Sequence, residues 1–295
     1  MNNKIYLMAA LIAFASVGAL LIQPTVASAQ SSMIDNILNS ALPSSNSNDN
    51  NQPSQASDSS GSSDSASTAA PISTSLSCGQ VIKQSVKLTA NLDCKTDGII
   101  VGADGITIDL NGFTLSGPGE KSSKVGIMFA DNDEVTVQGP GIIKNFQAGA
   151  LFSGGEDNKI SRVTFTDNEI AVFETGSKNV VIEDNLMFGN SIGVAAHSSS
   201  GSKLTTNLFK SNDLAGVTLV NSASNELSMN TIQGSVNGIF LDGQSTDNNV
   251  NSNNVLQNRG VDLNNGNGLP TNINSNVFSD NNCNTSVPDG LCLGR

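Results

Sequence analysis

Few residues in this chain have the chemistry of an active site, and they are scattered. His197, in "GNSIGVAAHSSS", is the one histidine. As a general base or zinc ligand it would want a carboxylate to orient its ring, or further ligands to share an ion. Two acidic segments, "ADNDEV" (130–135) and "GGEDNK" (154–159), lie about one repeat apart. They could gather Asp133, Glu134, Glu156 and Asp157 around a calcium ion, although solvated acidic loops are the plainer reading. Calcium aside, no cofactor or metal is expected. The only arginines are Arg162, Arg259 and Arg295, far apart along the chain.

The formal net charge is −12, with 26 Asp and Glu against 14 Lys and Arg. Such a surface repels phosphate backbones, so nucleic acid is not an expected partner. Tyr6 is the only tyrosine and there is no tryptophan, so a sugar ring could stack only on phenylalanine. Residues 1–29 read as an export signal: Lys4, an apolar run from Ile5 to Ile22, then Ala27-Ser28-Ala29. An uncleaved anchor is the alternative, since the run is nearly long enough to span a bilayer. With cleavage, the mature chain has no stable membrane span and is secreted or extracytoplasmic.

Residues 30–75 form a Ser/Asn-rich linker that cannot bury enough apolar surface to order itself. Within it, "MIDNILNSAL" (33–42) could form a short amphipathic helix with Ile34, Ile37, Leu38 and Ala41 on one face. Alone, it is too short to be stable.

From residue 76 to 295 the sequence repeats. A motif aliphatic-x-x-Asn-x-apolar places Asn185, Asn207, Asn230, Asn253 and Asn276 at steps of 22 or 23. Val137 with Ile142, and Ile108 with Phe113, keep the frame upstream. Gly126, Gly149, Ala171, Gly193, Gly216, Gly238 and Gly260 form a second column, and Asn168, Asn190, Asn212, Ser235, Asn258 and Asn281 a third. A period of 22 or 23 is too short for helical repeats or propeller blades, but ample for three short strands and three turns. The leucine-rich pattern of the same length is absent. The remaining architecture is a single-stranded parallel β-helix, an all-β solenoid whose coils stack about 4.8 Å apart. Asn suits its corners because it tolerates left-handed backbone and bonds nearby peptide groups; Gly suits corners of positive φ or close approach.

A solenoid needs covered ends. Four cysteines allow three connectivities, which the sequence does not choose among. The local pairs Cys78 with Cys94 and Cys283 with Cys292 are expected, because each would staple one end.

The segment "CGQVIKQSVKLTANLDCKTDGIIVGADGITIDLNGFTLSG" (78–117) and the coils that follow resemble the secreted right-handed parallel β-helix proteins, NosD-like and, more distantly, pectate lyase-like. The resemblance, with the crossover rule, implies right-handed coiling. It does not imply one activity, since the superfamily includes lyases, hydrolases, epimerases and non-catalytic surface proteins. Its enzymes work on the outer face of one strand column. Here the outward positions after the Gly column are Met128, Leu151, Phe173, Ala195, Thr218 and Phe240, then Thr175, His197, Val220 and Asp242. Glu174 falls in an inward column, and a bulge turning it outward is the expected repair. The Asp-Asp and Gly-His-Gly signatures of polygalacturonases, the Asp-Pro-His-Asp of epimerases and the clustered His or Met of copper sites are absent.

The resulting expectation is an exported, non-catalytic, monomeric β-helix protein that binds or scaffolds carbohydrate or an envelope protein at the cell surface. Met128, Leu151, Phe173, His197, Phe240 and Asp242 are its outer-face binding candidates. The alternative is a polysaccharide lyase or C5-epimerase-like enzyme acting on an acidic polysaccharide.

Overall fold

The computed structural model describes residues 76–270 and 272–293. The expected export signal, linker and 33–42 segment lie outside the described residues. Among the described residues there are only strands and turns, arranged as three parallel sheets of ten, nine and nine strands. Each coil contributes one strand to each sheet, so sequence neighbours are never sheet neighbours. The result is a right-handed parallel β-helix of about nine turns. In its middle coils the long sheet has six-residue strands, such as Ala148–Ser153, Ile170–Thr175 and Ile192–His197. The second sheet (for example Val181–Glu183) and the third (Leu186–Phe188) use three-residue strands.

The interior is one apolar column. Strand alternation sends Ile160, Ile182, Leu204 and Leu227 inward from the second sheet, and Phe165, Met187, Phe209 and Ile232 inward from the third. All eight are fully buried in the main hydrophobic cluster. In the early coils Leu115 and Ile143 hold the inward places expected of Phe113 and Ile142, because those corners contain extra residues.

Asparagine ladders secure the corners. Asn207 Oδ1 accepts hydrogen bonds from the backbone N and the Nδ2 of Asn185, at 3.0 and 3.1 Å, while Asn207 Nδ2 donates to the carbonyl of Ile182 at 2.7 Å. Asn230 repeats this above Asn207, and Asn253 above Asn230. The left-handed residue is not the asparagine but the one before it: Asp184, Thr206, Met229, Ser252 and Asp280 all have φ between 53° and 56°. Asn is therefore used for its paired donor and acceptor, which satisfy peptide groups a bend leaves open.

Two ladder assignments are corrected. Asn281, not Asn276, sits above Asn253. Asn276 crowns a separate ladder, Asn225–Asn248–Asn276, at the corner between the long and second sheets. The last coil carries extra residues before this corner, so a step of 28 replaces 23. The same coil shifts the glycine column: Leu263 pairs with Ile239, which leaves Gly260 out of the column. The glycines of that column serve close approach, not positive φ. A Cβ on Gly193 would come within 2.4 Å of the Phe209 ring and 2.5 Å of the Gly216 carbonyl.

Both local disulfides are formed, Cys78–Cys94 at one end and Cys283–Cys292 at the other. Leu291 and Cys292 join the main hydrophobic cluster, so the last residues close the C-terminal end of the column.

Candidate functional site

The long sheet has a second apolar cluster on its outward side. Val125, Ala148, Leu151, Ile170, Phe173, Ile192, Ala195 and Ala215 make it up, with Met128, Leu214 and Val220 packed at its edge. The register explains this grouping: Met128, Leu151, Phe173, Ala195, Thr218 and Phe240 are stacked partners on successive coils. Five of the six binding candidates thus share this face or its margin, but Leu151, Phe173 and Phe240 are buried.

His197 is half-buried at the margin, stacked between Thr175 and Val220. No carboxylate adjoins it in the register. Asp242, next to Leu241 and so one coil beyond Val220, is committed to its own turn. Its Oδ1 accepts from the backbone N of Asn221, Gln244 and Ser245 and from Ser245 Oγ, at 2.7 to 3.2 Å. A carboxylate oxygen so engaged caps a bend.

The four calcium candidates do meet, one coil apart, but as corner residues. Asp133 Oδ1 accepts from the backbone N of Glu156 at 2.8 Å, and the backbone N of Glu134 donates to the Glu156 carbonyl at 3.0 Å. Glu134 and Asp157 hold left-handed φ values of 56° and 58°. Among the described residues no three His, Cys, Asp or Glu side chains are grouped to hold a metal ion.

Glu174 is the departure from the expected register. No bulge forms: it pairs in sequence with Phe152 below and Ala196 above, and its side chain points into the apolar column. Burial pushes its pKa up from 4.5 to about 7, with the Ser202 hydrogen bond pulling weakly the other way. Sealed inside the coil, it has no access to a substrate.

The exposed feature that sequence reasoning missed lies on the third sheet. Ile142, Thr164, Leu186 and Leu208 stack in one outward column, with Lys144, Thr166, Phe188 and Lys210 beside them. Ile142, Phe188 and Leu208 are 37%, 39% and 38% exposed. Its signal in the sequence is the alternation within "IIK", "LMF" and "LFK", where the first and third residues of each three-residue strand face outward.

Three parallel sheets wound into one column, with two stapled ends, define the class: a disulfide-bonded right-handed β-solenoid. The chain belongs to the family described as right handed beta helix region, whose model matches residues 97–255. No curated protein matches it. Among solved structures it is similar to the DFA-IIIase of Arthrobacter chlorophenolicus without its lid, at 14% identity and a TM-score of 0.54 over 70% of this chain. The chain spans 60% of that enzyme's length. It also matches an exopolygalacturonase of Thermotoga maritima at 9% identity, with 68% and 71% of the two chains covered and a TM-score of 0.43. The mannuronan C-5 epimerase A-module of Azotobacter vinelandii matches at 12% identity, with 69% and 80% covered and a TM-score of 0.32. These likenesses are of fold.

Proposed function

We propose that this chain is an exported, non-catalytic β-helix that binds carbohydrate at the cell surface or envelope. One observation carries the reading: the outward face of the long sheet is built mostly from buried apolar side chains, not from a groove of ionisable ones. Its stacked positions are mostly apolar, the register places Thr175 and Val220 on either side of His197, and Asp242 is a turn cap. Acid–base or lyase chemistry needs free ionisable groups converging on the reacting bond. Two formed disulfides fit an oxidising compartment. The Ala27-Ser28-Ala29 site supports export through the secretory route.

The third-sheet stripe supports the binding half of the proposal. A sugar ring can stack on Phe188 while Lys210, one coil above, and Lys144, two coils below, take hydroxyl or carboxylate oxygens. The flat stripe runs along the coil axis and suits an extended glycan.

A second reading, a lyase or epimerase acting on acidic polysaccharide, draws on the sugar-active enzymes that share the fold. One experiment separates the two. The purified protein is offered pectate and alginate, with and without calcium, and both retention and product formation are followed. Retention without product, weakened in Phe188→Ala and Lys210→Glu, is the expected result. Product that disappears in His197→Ala or Glu156→Gln would replace the binding reading with the enzymatic one.

A further inference from the structure

The third-sheet stripe is more aliphatic than the stacking of sugar rings requires. Ile142, Thr164, Leu186 and Leu208 stack on four successive coils, with Thr231 above them. Phe188 is the one ring among the outward residues of these strands. At the upper end the chain adds a methionine. Arg162, Asp184, Thr206, Met229, Ser252 and Asp280 occupy the corner between the second and third sheets, all with φ between 53° and 57°. Left-handed backbone suits short polar side chains and disfavours a long apolar one. Met229 nonetheless stands there 59% exposed, more than any other large apolar side chain described before Leu269. It precedes Thr231 by two residues, and Thr231 stacks on Leu208, so the aliphatic row ends at this corner. A strained, wetted methionine adds nothing to packing inside the coil, which points to its use at the surface.

We propose that the stripe binds its glycan through ester groups, O-acetyl or methyl ester, and that Met229 and Leu208 contact the methyl end of one such group. The proposal rests on the carbohydrate reading above and narrows the ligand. An ester presents a methyl group beside a carbonyl oxygen and bears no charge. Methyl groups take the exposed sides of Ile142, Leu208 and Met229 out of water, which favours binding. Bare hydroxyls laid there would lose water without gaining a partner.

Lys144 and Lys210, two residues along from Ile142 and Leu208, can donate to the ester carbonyl oxygens. Charge points the same way. Asp167 and Asp184 flank the stripe at its two corners, where they accept hydrogen bonds from Thr166 and Thr206. The whole chain carries a formal net charge of −12. Such surroundings repel a dense polyanion but not an esterified glycan.

Affinity electrophoresis of the full chain tests it. Gels carry partially O-acetylated galactomannan, its deacetylated parent, methyl-esterified pectin, or the pectate made from that pectin by saponification. Each ester-bearing polymer is expected to retain the protein more tightly than its stripped partner, by about four-fold for each methyl group seated. Preference in only one pair supports the proposal and identifies the ester. Met229→Asn puts a residue that accepts left-handed backbone at the corner, so it should raise the melting temperature by about 2 °C while abolishing most of the preference. Leu208→Thr should lower the preference without touching the corner. Equal retention by esterified and stripped polymers, or a preference unmoved by either substitution, would overturn the proposal and leave carbohydrate binding standing. Retention by none of the four polymers would sink the carbohydrate reading, and the proposal with it.

Discussion

Ser202 Oγ donates a 2.7 Å hydrogen bond to Glu174 Oε2 from the next coil, inside the apolar column, while Glu174 Oε1 has no partner. A buried carboxyl with one hydrogen bond is more stable protonated, which is why its pKa rises to about 7. The folded state then keeps a proton that the unfolded chain releases near 4.5. Stability is fully present below that value and falls as pH rises towards about 7, by roughly 3 kcal/mol in total. Glu174→Leu should remove this slope and make the protein more stable at pH 8, with the difference shrinking towards pH 4. Urea denaturation of both proteins across pH 4 to 8 measures it. A parallel pair of stability curves would show that Glu174 does not titrate in this window.

The asparagine ladder predicts a graded cost. Asn207→Ala leaves the backbone N and Nδ2 of Asn185 and the carbonyl of Ile182 without their partners in a dry corner. Each open group costs about 1 to 3 kcal/mol, so this substitution should rank among the most destabilising at any polar residue. Chemical denaturation against Asn254→Ala, an exposed outward asparagine, gives the comparison.

Gly193 tests the close-approach column. Gly193→Ala puts a methyl group against the Phe209 ring and the Gly216 carbonyl, at a cost of about 2 kcal/mol. The chain carries an alanine, Ala171, in the same column one coil earlier, where the third sheet supplies Met187 in the place of Phe209. Phe209→Met should therefore rescue Gly193→Ala in part, with a coupling of about 1 kcal/mol in a double-mutant cycle. Simple additivity would locate the strain in the backbone alone.

Removing the Cys78–Cys94 bridge by paired serine substitution frees a loop of 16 residues, a loss of about 3 kcal/mol in the chain-entropy model. In a solenoid each coil touches only its neighbours, so the loss should appear as early fraying of the first coils. Hydrogen exchange would show faster amides in Gln80–Ile82 and Ile99–Val101, with Ile192–His197 unchanged.

Much of this architecture could be read without coordinates, because a solenoid repeats its physics in the sequence. The period of 22 or 23, the inward aliphatic residues and the Asn207–Asn230–Asn253 column follow from one requirement, that like residues stack. The local disulfide pairs, expected because each would staple one end although three connectivities were open to the sequence, are the ones formed. Register over the last coil did not follow, because insertions are invisible to a periodic frame. Asn281 took the place expected of Asn276 above Asn253, and Asn276 joined the Asn225–Asn248 ladder, once the extra residues bent out before the corner.

Two further matters were decided only in three dimensions. Alternation correctly put Glu174 inward, but chemical intuition favoured a bulge. The continuous pairing of Phe152, Glu174 and Ala196 shows that unbroken ladder bonds outweigh the cost of one neutralised carboxyl. Sequence likewise put Phe173 outward but could not say whether outward meant wet, since burial depends on what lies across a face and not on strand period. Composition, spacing and alternation thus determined the coil and its interior. The exposure of its faces, and with it the contrast between the buried outward residues of the long sheet and the exposed stripe of the third, was set by tertiary packing alone.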